Sequence, residues 1–162
     1  MKSALKRGGL LSLLLALALT TASCSFINIF VVVNASSATL QVRYHVKNPT
    51  DPRAPSRLYE EAPLTKTRSQ LDAEVEWKPL PSSRYQIDAD SRIVVLTLDP
   101  DEALFLTECR PANTAASGDC ESEEFKIDEI RLLGANGEID LTGEQAHKSF
   151  VRNKHTYTLT YY

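Results

Sequence analysis

The chain has 162 residues, with 18 Lys and Arg against 21 Asp and Glu, a net charge of −3, and neither sign forms a block. That balance argues against a nucleic-acid binder and against a polybasic grip on anionic lipid. Six glycines, none in a phosphate-loop arrangement, leave no nucleotide-binding loop, and the length suits one domain with a core of its own.

The N-terminal segment has the three-part layout of an export signal. Lys2, Lys6 and Arg7 form a basic start, and Leu10 to Leu19 is apolar except for Ser12. Such a run is too short to cross a bilayer core, which takes roughly 20 apolar residues in a helix. Small residues follow, Thr21-Ala22-Ser23-Cys24. This stretch resembles the lipobox of bacterial lipoproteins, with Thr21 standing where that family prefers leucine. The resemblance implies that a signal peptide of residues 1–23 is removed, that Cys24 becomes the first residue, and that its thiol carries a diacylglycerol. Two other readings of the same residues stay open. One is an ordinary secretory signal cut nearby; the other is an uncleaved anchor running from Leu10 through Val33.

Cysteine usage points the same way without the motif. Exported proteins tend to pair their thiols, and of three cysteines Cys109 and Cys120 lie close together while Cys24 is left over. The expectation is a Cys109–Cys120 disulfide and a lipid at Cys24. Without residues 1–23 the balance is 15 basic against 21 acidic residues, net −6. Membrane attachment then rests on the lipid, for which two or more acyl chains suffice. No Gly/Ser-rich tether follows Cys24, so the domain 24–162 is expected to sit close to the membrane surface.

Within that domain the dominant period is two. Phe26 to Val33 is a continuous apolar run that reads as a strand buried on both faces. Asn34 to Ser37 is turn chemistry, and Leu40 to Val46 alternates apolar with polar residues, so these two strands are expected to form a hairpin. Pro49, Pro52, Pro55 and Pro63 mark 48–69 as an irregular proline-rich loop, since each removes a backbone donor. Leu71, Ala73, Val75 and Trp77 alternate with charged residues and predict a strand ended by Pro79 and Pro81, with Trp77 in the core. Tyr85 to Ile87 and Arg92 to Leu98 read as strands, and the turn Asp99-Pro100-Asp101-Glu102 leads into another over 103–108. Phe125 to Leu132 changes register near Asp128-Glu129, as a bulge would cause. Asn136-Gly137 is the signature of a tight hairpin. Glu144 to Val151 predicts one or two helical turns, and alternating Thr and Tyr over 156–161 predicts a closing strand. About eight or nine short strands without a long amphipathic helix imply an all-β fold, a single small β-sandwich in an immunoglobulin-like arrangement.

The polar residues offer few sites. His147 and His155, with Asp140 and Glu144 nearby, have no metal-ligand spacing, and His45 falls on the polar side of its strand. Asp88 and Asp90 lie at one end of the 92–98 strand and Asp99, Asp101 and Glu102 at the other, too far apart for one calcium site. There is no G-x-S-x-G elbow. The expectation is a protein that is not an enzyme and needs no metal or cofactor. Its partners are the membrane, through the lipid, and an envelope protein met through sheet edges or the 48–69 loop, with no nucleic acid. The alternative is a periplasmic module that binds a small ligand or inhibits an enzyme. Ser25 follows the cysteine where aspartate would favour inner-membrane retention, so the same resemblance implies the periplasmic face of the outer membrane.

Overall fold

The computed structural model describes residues 27–47, 61–73, 75–109, 120 and 125–162. In chain order the strands are β1 (Asn28–Asn34), β2 (Leu40–Val46), β3 (Leu64–Thr67), β4 (Lys78–Pro79), β5 (Tyr85–Asp88), β6 (Ile93–Leu98), β7 (Glu102–Cys109), β8 (Ile127–Gly134), β9 (Gly137–Thr142), β10 (Val151–Asn153) and β11 (Thr156–Tyr161). One helical turn, α1 (Glu144–Lys148), joins β9 to β10. The strands form a six-stranded sheet in the order β10-β11-β1-β7-β3-β4 and a five-stranded sheet in the order β5-β6-β2-β8-β9. The fold is the expected all-β sandwich. Among the described residues the strand count rises to eleven because β3, β4 and β10 are short pieces.

Alternation explains the core. β2 and β6 each turn one set of residues inward, Leu40, Val42, Tyr44 and Val46 from the first, and Val94, Leu96 and Leu98 from the second. Phe30, Val32, Leu104 and Leu106 meet them from the six-stranded sheet. Burial pushes the Tyr44 phenol well above its ordinary range. The expected bulge is present: His45 opposes Glu129 and Val46 opposes Ile127, which leaves Asp128 as the extra residue on β8.

β1 is buried on both faces, as its unbroken apolar run requires. Val31 and Val33 point away from the sandwich core and pack with Ala103 under Leu71 and Trp77. Here the sequence expectation fails. Residues 71–73 and 75–77 do not pair as a strand; Arg68–Gln70 is a 3₁₀ turn, and Leu71 and Trp77 lie on the outer face of the six-stranded sheet as the ends of a strap. Its apolar residues are satisfied by lying on that face, which needs no ladder of hydrogen bonds. Trp77 therefore sits outside the main core, edge-on to Phe105 with ring centroids 5.4 Å apart. The strap is pegged by Lys66, whose Nζ donates to the carbonyls of Gln70 (3.3 Å) and Val75 (3.1 Å) and lies 4.5 Å from the Trp77 ring centroid.

Two further expectations need correction. Leu64–Thr67, assigned to the irregular 48–69 stretch, is β3, paired with β7 and β4. It contains no proline, and Pro63 precedes its first residue, where a missing donor is tolerated. β1 and β2 do not form a hairpin either, because they belong to opposite sheets. The chain crosses between sheets after Asn34 and crosses back between Leu98 and Glu102. Buried Asn34 pins both crossings: its Nδ2 donates to Ala38 O (2.8 Å), Leu98 O (3.3 Å) and Asp99 O (3.1 Å), while its carbonyl accepts from Asp101 N (2.9 Å). Residues 28–34 are thus a paired strand of the six-stranded sheet.

The first and last strands lie side by side and parallel, with Val31 beside Thr158. β11 also closes the far end of the sandwich. Tyr161 Oη donates to Gly137 O (2.8 Å) and accepts from Asn136 N (3.0 Å), which holds the β8–β9 turn against the other sheet. A Cβ at Gly134 would fall 2.6 to 2.7 Å from the Tyr161 ring atoms. Gly134→Ala is therefore expected to destabilise by about 1–3 kcal/mol, the range for overpacking. The ring cannot move aside without breaking both hydrogen bonds. Urea denaturation of G134A, and of G134A combined with Tyr161→Leu, checks this. The second change should recover part of the loss, and strictly additive losses would contradict the steric account.

Candidate functional site

Two regions of the sandwich bring chemically distinct side chains together. The first is the end where β1 begins. Asn28 opposes Cys109 in the ladder, and Cys109 is joined to Cys120 by a disulfide with Cα atoms 6.2 Å apart. The amide of Asn28, fully buried, donates to Cys120 Sγ at 3.5 Å and lies 3.4 Å from His155 Nδ1. Phe30 stacks on Tyr157 (4.6 Å between centroids) and meets Phe125 (4.8 Å), Phe150 (5.2 Å) and His147 (5.7 Å). Desolvation holds the His147 imidazole below the usual histidine range; a hydrogen bond to the Cys120 backbone works against that, and Lys47 and Lys148 add to it. Asn28 stands four residues after Cys24, and four extended residues reach at most about 14 Å. Along the chain, β1 is the described strand that follows Cys24.

The second region is the outer face of the five-stranded sheet. Arg43 on β2 pairs with Glu129 on β8, and His45 Nδ1 lies 2.7 Å from Asp128 Oδ1, an ion pair when the ring is protonated. Arg131 reaches Glu138 (3.2 Å) and Asp140 (2.8 Å) on β9. The hydrogen bond to Asp140 is the main cause holding the Arg131 guanidinium above its ordinary range. Arg43 and Arg131 stand directly opposite in register, so each like charge needs its own carboxylates beside it. The result is a charged surface bordered by β5 and β9, each paired with one strand among the described residues. Exposed ion pairs are worth about 0–1 kcal/mol, so such a face can exchange internal partners for external ones at little loss. Leu133 is 48% exposed within it.

The remaining candidates separate. Asp88 Oδ1 accepts from Asp90 N and Ser91 N, both at 3.1 Å; hydrogen bonding, led by the Ser91 side chain, lowers its pKa. At the other end of β6, Arg84 grips Glu102 (2.6 and 3.1 Å) and Asp99 (3.0 Å) and donates to Thr97 O (2.6 Å). The bond to Glu102 is the first cause of its raised pKa. These acidic clusters are turn and clamp residues. Glu144 pairs with Lys148 (2.6 Å), which lowers the Glu144 pKa, and Asp140 belongs to the charged face. His147 and His155 reach different partners. Among the described residues, no three of His, Cys, Asp and Glu are grouped to hold a metal ion. Cys24 and residues 110–119 of the disulfide loop lie outside the described residues, as do residues 48–60.

Comparison with known protein families, characterised proteins and solved structures finds no match to this chain. The disulfide was readable from the cysteine count. The aromatic and histidine cluster around it was not, since its members come from β1, α1, β11 and the segments beside them. One signal did exist: Asn28 is the single polar residue in the run Phe26 to Val33, and a polar side chain there needs a buried partner.

Proposed function

We propose that the chain is a non-catalytic envelope lipoprotein, held in the membrane through lipid at Cys24 and working by contact with another envelope protein. The observation that carries the contact reading is the charged face of the five-stranded sheet, ending in the six-residue edge strand β9. An edge of that length offers backbone donors and acceptors to an added strand, and the adjoining ladder offers exchangeable charges. The short sequence separation of Cys24 and Asn28 supports a fixed orientation, with the disulfide end toward the membrane and the β8–β9 turn away from it. Ser25 supports the outer membrane as the address.

Site-specific photocrosslinking in cells tests this reading. A crosslinking residue at exposed Thr142 on β9, or at exposed Gln86 on β5, is expected to give a discrete adduct with one envelope protein. The same residue at Lys154, exposed in the β10–β11 turn, is expected to give none. Identical patterns from all three positions would count against a docking edge.

A further inference from the structure

His147 is placed unlike a solvated surface histidine. It lies on α1, the single helical turn that packs against β8 and β9, and its ring sits among Phe30 (5.7 Å) and Phe125 (5.5 Å). Its Nε2 is buried and has no hydrogen-bond partner among the described residues. With Nε2 bare, the bond to the Cys120 backbone falls to Nδ1. A neutral ring tolerates this, because Nε2 then carries only a lone pair. A protonated ring does not, because the second N–H, on buried Nε2, would have no acceptor among the described residues.

The neighbouring charges make it worse. Lys47 at the end of β2 and Lys148 on α1 both oppose a cation at His147. Glu144, the acidic residue on the same turn, is engaged by Lys148. On β8 and β9, Glu129 pairs with Arg43, Arg131 pairs with Glu138 and Asp140, and Asp128 Oδ1 lies beside His45 Nδ1. From the six-stranded sheet come Tyr157, stacked on Phe30, with Arg152 over its other side, and His155, which turns to Asn28.

We infer that His147 is an acid-sensitive latch: protonation of its ring releases α1 from the aromatic end of the sandwich and uncovers Phe30, Phe125 and Phe150 on the side nearest Cys24. The sign follows from linkage. A histidine whose folded-state pKa is depressed contributes its stability in full above the ordinary value of about 6.5, and that stability drains away as pH falls below it toward the folded-state value. The latch is shut at neutral pH and loosens in mild acid. It is a property of the fold and does not depend on what the charged face contacts.

Hydrogen exchange read by mass spectrometry on the full-length chain in detergent tests this at pH 7.5 and pH 5, after correction for intrinsic exchange. Wild type is expected to lose protection over 143–150 at pH 5 while β2 and β6 keep theirs. His147→Gln, which cannot take up a proton, is expected to show the same protection at both values. An equal loss in the variant, or undiminished protection of wild type at pH 5, would overturn the latch. Should His147→Gln fail to fold, the wild-type ring decides by NMR titration. Titration below about 6.5 coupled to shifts in α1 and Phe150 supports the latch, and titration at or above that value with α1 unmoved refutes it.

Discussion

Phe30→Ala is expected to lower stability by about 3–5 kcal/mol, the largest loss from any single truncation in this fold. Phe30 is fully buried and is the hub of the aromatic cluster, touching Tyr157, Phe125, Phe150 and His147. Truncation removes its transfer free energy and leaves a cavity. The surrounding rings cannot collapse into it, because β1 and β11 are fixed in one ladder. It also removes several aromatic pairings, each worth about 0.5–1.5 kcal/mol. Domains of this size have roughly 5–15 kcal/mol in all, so the variant should be only marginally folded at growth temperature. Urea denaturation measures the loss. Val151→Ala serves as the contrast, since Val151 is 72% exposed on edge strand β10 and should change stability by less than about 0.5 kcal/mol. Equal small effects from both would mean that the aromatic cluster is not the structural centre of this end.

Loss of the Cys109–Cys120 disulfide is expected to cost about 3 kcal/mol. The two residues are 11 apart in sequence, and closing a loop of that order limits the unfolded chain by about that amount in the entropic account. The native side adds to it. Cys120 contributes its sulfur to Asn28 and its backbone N–H to Tyr157 Oη (3.4 Å), so the bridge also orients the groups that floor the aromatic cluster. Denaturation with and without reductant separates the cases. Wild type should lose about 3 kcal/mol on reduction, and Cys109→Ala/Cys120→Ala should start at the lower value and ignore the reductant. A wild type indifferent to reductant would contradict both the loop-closure account and the role of the Cys120 contacts.

Strands with one face in the core announced themselves. β2, β6 and β11 alternate because one side packs and the other meets water, and the Asn136-Gly137 pair marked the β8–β9 turn within one residue, with Gly137 at φ +116°. What failed was any feature in which alternation served another end. Leu71, Val75 and Trp77 have a strand's period, yet their segment forms the strap over Val31, Val33 and Ala103. Nothing local distinguishes an apolar side chain that faces a core from one that covers the back of a sheet. The partition of β1 and β2 between sheets was equally hidden. A link of residues 35–39 suits a hairpin or a crossover, and the choice is made by Asn34 reaching Leu98 and Asp99, more than 60 positions away. Of the sites, the Cys109–Cys120 pair was legible because an exported chain tends to pair its thiols. The setting of His147 was not, because burial of one ring nitrogen is a property of packing.

The central claim is that this sandwich is tethered by lipid at Cys24, and metabolic labelling with a clickable palmitate tests it most directly. The comparison is wild type against Cys24→Ala, followed by intact mass. The account expects label on wild type, none on the variant, and a wild-type mass that begins at an acylated Cys24. Absence of label from both, with a mass showing cleavage at another residue, would contradict it and leave a secreted sandwich with Cys24 as a spare thiol.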